Sequence, residues 1–168
     1  MNSEKFNKLM KAIHEAELRD TKYKFNLAKV HHGFSHGLFC SSVRYDSATL
    51  GPPAKVSFLL KVTDPFCNKT KQLHGGCAST LIDVTSTGLL IGLSRPGLFS
   101  RGGVTRTLHV KFLRPVLVGM EVRVVNELVH AGKRLALVRP EIRRADTGEL
   151  CVVGEHDKVN TDPGVKSL

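Results

Sequence analysis

The 168-residue chain carries 25 Lys and Arg against 15 Asp and Glu, a formal net charge of +10, and 41% of its residues are apolar, enough to bury the core of one domain. Its four cysteines, Cys40, Cys67, Cys77 and Cys151, form no Cys-x-x-Cys pair and its eight histidines show no metal-ligand spacing. Neither a disulfide framework nor a zinc site organises such a chain. Phe6, Leu9, Met10 and Ile13 recur at i, i+3, i+4 and i+7, which predicts a helix over about residues 3 to 18. A secretory signal is not expected there, and Glu4, Glu15, Glu17 and Asp20 argue against an acid-poor mitochondrial presequence. The final Lys166-Ser167-Leu168 scrambles the peroxisomal order, and no apolar run approaches the roughly 20 residues of a membrane span. The expectation is an intracellular protein, of cytoplasm or mitochondrion, with no credible targeting signal.

A polar stretch from His31 to Gly37 leads into an expected strand at Leu38–Tyr45, and Gly51-Pro52-Pro53 makes a turn. Val56, Phe58, Leu60 and Val62 then alternate with Ser57, Leu59 and Lys61, a second strand and hairpin partner. From Gly76 to Leu93 there is no proline, and Ala78, Leu81, Ile82, Leu89, Leu90 and Ile91 are the buried candidates of a long central helix stopped by Arg95-Pro96-Gly97. Four extended segments follow, Gly103–Leu113, Glu121–His130, Arg134–Arg143 and Leu150–Asn160, separated by turn residues. Short connections predict a four-strand antiparallel meander, hence an α+β fold with one antiparallel sheet wrapped on one helix.

Chemistry concentrates between Asn68 and Asp83. The Gly75-Gly76 pair entering the helix lets backbone approach a ligand, and the free N–H groups of the first turn stabilise an oxyanion; the same pair also suits a plain tight loop. Asp83 stands in an apolar helix with Ser79, Thr80, Ser86 and Thr87 at i±3 and i±4, a narrow polar stripe. It is either a carboxylate for nucleophilic or general-base work or a solvated helix residue. Gly75 and Asp83 lie about 12 Å apart along one helix, so a single chain does not bring both to one carbonyl. Two such helices about a two-fold axis would.

This segment resembles the hot-dog thioesterases of the PaaI-like group, most of all the thioesterase superfamily member 2 type. The likeness runs over most of residues 36 to 160: Asn68, the Leu73-His74-Gly75-Gly76 run, Asp83, the strand ending at Pro115, Gly132-Lys133, and Gly148-Glu149-Leu150. It implies a hot-dog fold, a homodimer with a continuous sheet, often a dimer of dimers, and hydrolysis of acyl-CoA. By the same resemblance Asp83 is nucleophile or water-activating base, Gly75 N–H and Asn68 hold the thioester oxygen, His74 orients Asn68, and Thr105 takes the place of a serine that assists the water. Coenzyme A contacts map to Phe112, His130, Ala131, Gly132, Lys133, Arg134, Leu135 and Val159. No separate cofactor is implied, because coenzyme A is part of the substrate.

The expected organisation is an N-terminal helical extension at 1–35, the hot-dog domain at 36–160 and a tail at 161–168. The positive charge favours an anionic partner by long-range steering. Nucleic acid is disfavoured, since stacking platforms are few with no Trp and two Tyr. Two competing readings are a hot-dog acyl-CoA dehydratase or hydratase and a non-catalytic module binding acyl-CoA or RNA.

Overall fold

The computed structural model describes residues 1–23, the side chains of 17–23 excepted, and residues 42–165. The expected polar stretch at His31–Gly37, the start of the first expected strand and the boundary near residue 35 lie outside them. The elements are α1 (Ser3–Tyr23), β1 (Val43–Thr49), β2 (Lys55–Lys61), a 3-10 turn (Asp64–Phe66), α2 (Gly75–Leu93), β3 (Val104–Phe112), β4 (Glu121–Ala131), β5 (Leu135–Arg144) and β6 (Leu150–Val159). Both helices and the later strands stand where periodicity placed them, within a few residues.

The six strands form one antiparallel sheet in the order β1-β2-β4-β5-β6-β3, against which α2 packs. Alternation decides which face is buried: Val56, Phe58 and Leu60 of β2 and Val122 and Val124 of β4 meet Leu81, Ile82 and Leu89 of α2 in the core. Among the described residues α2 is the one helix long and apolar enough to cross a membrane by length and composition. Its apolar side is spent on the sheet instead.

The expected four-strand meander is corrected at its first turn. Only β4-β5-β6 is a meander; β3 pairs with β6, and β4 pairs with β2. The segment after β3 does not turn back on it. Pro115 interrupts the backbone donors, and the chain instead runs along the loop before α2, where Leu73 N–H donates to Val116 O (2.8 Å) and Val118 N–H to Lys71 O (2.9 Å). Gly119 N–H then reaches Val62 O at 2.8 Å, which delivers β4 to the free edge of β2. One consequence is that β3 is an edge strand.

α1 rests on β1 and on the C-terminal end of α2. Phe6 and Met10 are buried, and Asn7 Oδ1 accepts from Tyr45 Oη (2.6 Å) and from Ala48 N–H (2.8 Å). The approach to α2 requires a glycine: a Cβ on Gly92 would stand 1.9 Å from Met10 Sδ.

Candidate active site

α2 begins with a cap that uses His74. Its ring Nδ1 accepts from Gly76 N–H at 3.0 Å, satisfying one orphan donor of the first turn. That cap uses Nδ1 alone, and the ring makes no hydrogen bond to Asn68 within the chain. Asn68 is held by its own loop: its Oδ1 accepts from Thr70 N–H (3.0 Å), Thr70 Oγ1 (2.8 Å) and Gln72 N–H (3.1 Å). Three donors on the oxygen orient the amide so that its NH2 is the group left to serve a ligand. Gly75 is packed under Phe112, since a Cβ there would sit 3.3 Å from Phe112 Cζ. Gly75 and Phe112 border a cavity of ≈ 370 Å³, lined also by Gln72, Leu73, Arg114 and Val152 among others.

Asp83 occupies a different locus, two turns along α2. Thr105 Oγ1 lies 3.1 Å from its Oδ1 and 2.9 Å from His156 Nε2, and His156 Nδ1 lies 2.6 Å from Ser86 Oγ. A bulge is what turns Thr105 inward. Leu108 and Val110 of β3 pack against the core, so by alternation Thr105 would face outward; the register shift between Thr105 and Thr107 inserts one residue and reverses the parity. Beside this group Lys158 Nζ donates to Thr87 Oγ1 at 2.6 Å, with the residue only 3% exposed.

His156 and Asp83 stand 3.4 Å apart, yet they are not an ion pair at neutral pH. His156 is completely buried, and burial together with the Lys158 cation pushes its pKa down to about 4, although Asp83 pulls the other way. Burial also pushes Lys158 below its usual value, again opposed by Asp83. Burial drives the Cys77 thiol next to Gly76 up to about 11, which removes it as a nucleophile. Among the described residues no group of three His, Cys, Asp or Glu is arranged to hold a metal ion.

The hairpin at 130–135 joins the Asp83 end of the molecule. Gly132 N–H donates to Leu135 O (2.8 Å), Val159 pairs with both Leu135 and Val104, and Asn160 Nδ2 donates to Lys133 O (2.9 Å). The fold thus collects Asp83, Thr105 and the hairpin at one end of β3, and Gly75 with Phe112 at the other.

The pattern of the thioesterase superfamily matches residues 71–151, and mouse acyl-coenzyme A thioesterase 13 is 30% identical over 106 residues, 63% of this chain and 73% of that protein. The chain belongs to the thioesterase superfamily. Its fold is likewise that of zebrafish thioesterase superfamily member 2, with a TM-score of 0.70, 26% identity and coverage of 89% of this chain and 94% of the other. A hypothetical thioesterase from Streptococcus pneumoniae, solved with coenzyme A, shares the fold at a TM-score of 0.63 and 22% identity, over 73% of this chain and 88% of that one. This thioesterase therefore has the hot-dog architecture, a sheet around a central helix.

Sequence reasoning missed His156 and Lys158. The signal was available in β6, where Val152, Gly154, His156 and Lys158 share the inward face by strict alternation, so two ionisable residues are aimed into the core. It went unread because the direction of that face depends on which strands flank β6.

Proposed function

We propose that this thioesterase hydrolyses acyl-CoA at a site shared by two chains, Asp83 and Thr105 coming from one and Gly75 and Asn68 from the other. The observation that carries this reading is the separation of the two halves within a chain, about 12 Å along α2. The edge strand β3 supplies the means of joining them: antiparallel pairing with its own copy extends the sheet and keeps both helices on one face. Continuity of the inward face requires inward residues to oppose inward residues. Placing Thr105 opposite Phe112 of the partner subunit, with the bulged Arg106 left out of the count, puts His109 on the two-fold axis.

In the assembled site the thioester oxygen accepts from Gly75 N–H and the Asn68 NH2 group. Water attacks the carbonyl carbon and gives a proton to Asp83; the carbon–sulfur bond then breaks and Asp83 returns that proton to the departing thiolate. One water is consumed, and a carboxylic acid and free coenzyme A are released. Lys133 and Arg134 on the hairpin suit the phosphates of coenzyme A, and acyl-CoA hydrolysis is also what the name of the mouse relative states. The His156–Asp83 pair brings the hydratase reading back into view, but both ring nitrogens of His156 are engaged by Ser86 and Thr105, which leaves none to reach a substrate carbon.

The test is release of free thiol from a panel of acyl-CoA substrates. Asp83→Asn should keep the fold and lower turnover by more than about a hundredfold, the scale of losing a general base. An Asn variant with near-normal turnover returns Asp83 to the solvated helix, and a wild type with no turnover on any thioester removes the hydrolase reading.

A further inference from the structure

Neutral His156 has two tautomers, and they differ in what Asp83 receives. Neutral His156 carries one proton, Ser86 and Thr105 one hydroxyl proton each. If the ring proton is on Nδ1, it points at Ser86 Oγ, and the bare Nε2 and Asp83 Oδ1 compete for the one Thr105 proton, at 2.9 and 3.1 Å from Thr105 Oγ1. Whichever acceptor loses faces a lone pair of Thr105 Oγ1, and Oδ1 faces the bare Nε2 at 3.4 Å in either case. If the ring proton is on Nε2, it points at Thr105 Oγ1, and the Thr105 hydroxyl is left to donate to Oδ1. Ser86 must then give its proton to Nδ1 instead of to Ile82 O, 2.7 Å away. That costs little, because Ile82 O lies inside α2 and keeps its helical N–H partner.

We propose that His156 is a positioning residue: Ser86 holds it in the Nε2–H form, and through Thr105 it fixes Asp83 with Oδ1 satisfied and Oδ2 left to take the proton of the reacting water. The chain of donors runs Ser86 to His156 to Thr105 to Asp83, from a core helix to a core strand to the edge strand and back to the helix. Complete burial of His156 keeps water from competing for either ring nitrogen. The charged groups acting on the ring are Asp83 from α2, Lys158 on the same inward face of β6 and Asp157 from the opposite face of that strand. From β3 and β5 its cross-strand neighbours are Leu108 and Val138, which carry no charge. Lys158 thereby has a place in the same device, as a charge that adds to burial, the larger effect, in keeping the ring neutral beside a carboxylate. The consequence for catalysis rests on the hydrolase reading above, but the proton arrangement itself does not.

Nitrogen-15 chemical shifts of the histidine rings in the full-length protein at pH 7 test the arrangement directly. His156 should show the Nε2–H tautomer and stay neutral down to about pH 5; an Nδ1–H tautomer or an imidazolium at pH 7 overturns the proposal whether or not the protein is an enzyme. The kinetic arm uses Ser86→Ala, which deletes the donor to Nδ1 and leaves the ring in place. It should lower kcat by about tenfold, the scale of losing a supporting hydrogen bond, with KM little changed. In a Thr105→Ala background the same change should cost nothing more, and His156→Gln, whose amide restores a donor near the Nε2 position, should recover most of the kcat lost in His156→Leu. Fully additive losses in Ser86→Ala/Thr105→Ala, or a Ser86→Ala kcat equal to wild type, mean that the two residues do not act through one chain of bonds.

Discussion

At the scale of single residues, the site illustrates how burial, more than charge, sets protonation. His156 sits against a carboxylate that would favour its cation, yet removal from water outweighs that attraction and leaves the ring neutral. Linkage gives this a consequence for stability. Between the ordinary value of 6.5 and about 4, unfolded chains bind a proton at this position that folded chains do not. Stability therefore rises with pH across that window and is lost on acidification, by at most about 3 kcal/mol for the shift involved. Urea unfolding midpoints of the wild type should fall from pH 6.5 to pH 4 more steeply than those of His156→Gln. Parallel curves for the two proteins would mean that His156 does not carry the dependence.

Asn68 and His74 show the same scale from the other side. The sequence resemblance made them partners, whereas the short-range bonds available to each within its own loop, a helix cap for the ring and three donors for the amide oxygen, fixed them separately. Residue type and spacing pointed to both positions. Which bond each side chain chose depended on the path of the backbone between Cys67 and Leu73, closed by a bridge between those two residues.

At the scale of elements, the helix periods and strand alternation were legible because each reflects a local rule. α1 carries Phe6 and Met10 on one stripe, and that stripe is what packs on α2. Leu9, at a position one residue off the seam, is exposed instead. Met10→Ala should destabilise the protein by about 2–5 kcal/mol through the cavity left over Gly92, measured by urea unfolding. A loss under about 1 kcal/mol would show that α1 is only lightly docked. The bulge in β3 belongs to the opposite category. Alternation read along β3 alone puts Thr105 outside, and the inserted residue becomes visible only against the register of β6.

At the scale of the whole molecule, the fold leaves a task unfinished: Gly75 and Asp83 are held rigidly apart by one helix. Co-expressing Asp83→Asn chains with Asn68→Ala chains collects both defects in one site of each mixed dimer and leaves the other site intact. Such dimers should recover up to about half of wild-type activity, by the symmetry of an isologous interface. Verified mixed dimers no more active than either parent would locate the whole site within one chain. The pairing register is testable by itself. His109 is exposed on the outer face of the sheet, and residues opposite each other in an antiparallel pair lie about 4.5–5.5 Å apart, within reach of a disulfide. His109→Cys should form a covalent dimer under mild oxidation, and Lys111→Cys, two residues from the axis, should do so far less. Equal cross-linking at both positions rejects the register.

The sequence by itself determined the elements, the α+β class and the Asn68-to-Asp83 constellation, because periods of 3.6 and 2 and the entry of glycines into a helix depend on neighbours a few residues away. It also fixed the spacing of about 12 Å between Gly75 and Asp83 on which the proposal of a shared site rests, since the rise of a helix is a local constant. Only the tertiary structure decided the order of the strands, where the connection after β3 follows the loop before α2 and joins β4 to β2. From that order came the remaining facts: β3 became an edge, its bulge brought Thr105 to Asp83, and β6 lay where its inward His156 and Lys158 meet α2. These are contacts between residues 22 to 71 positions apart, and no local pattern encodes which pairs of distant strands will share a face.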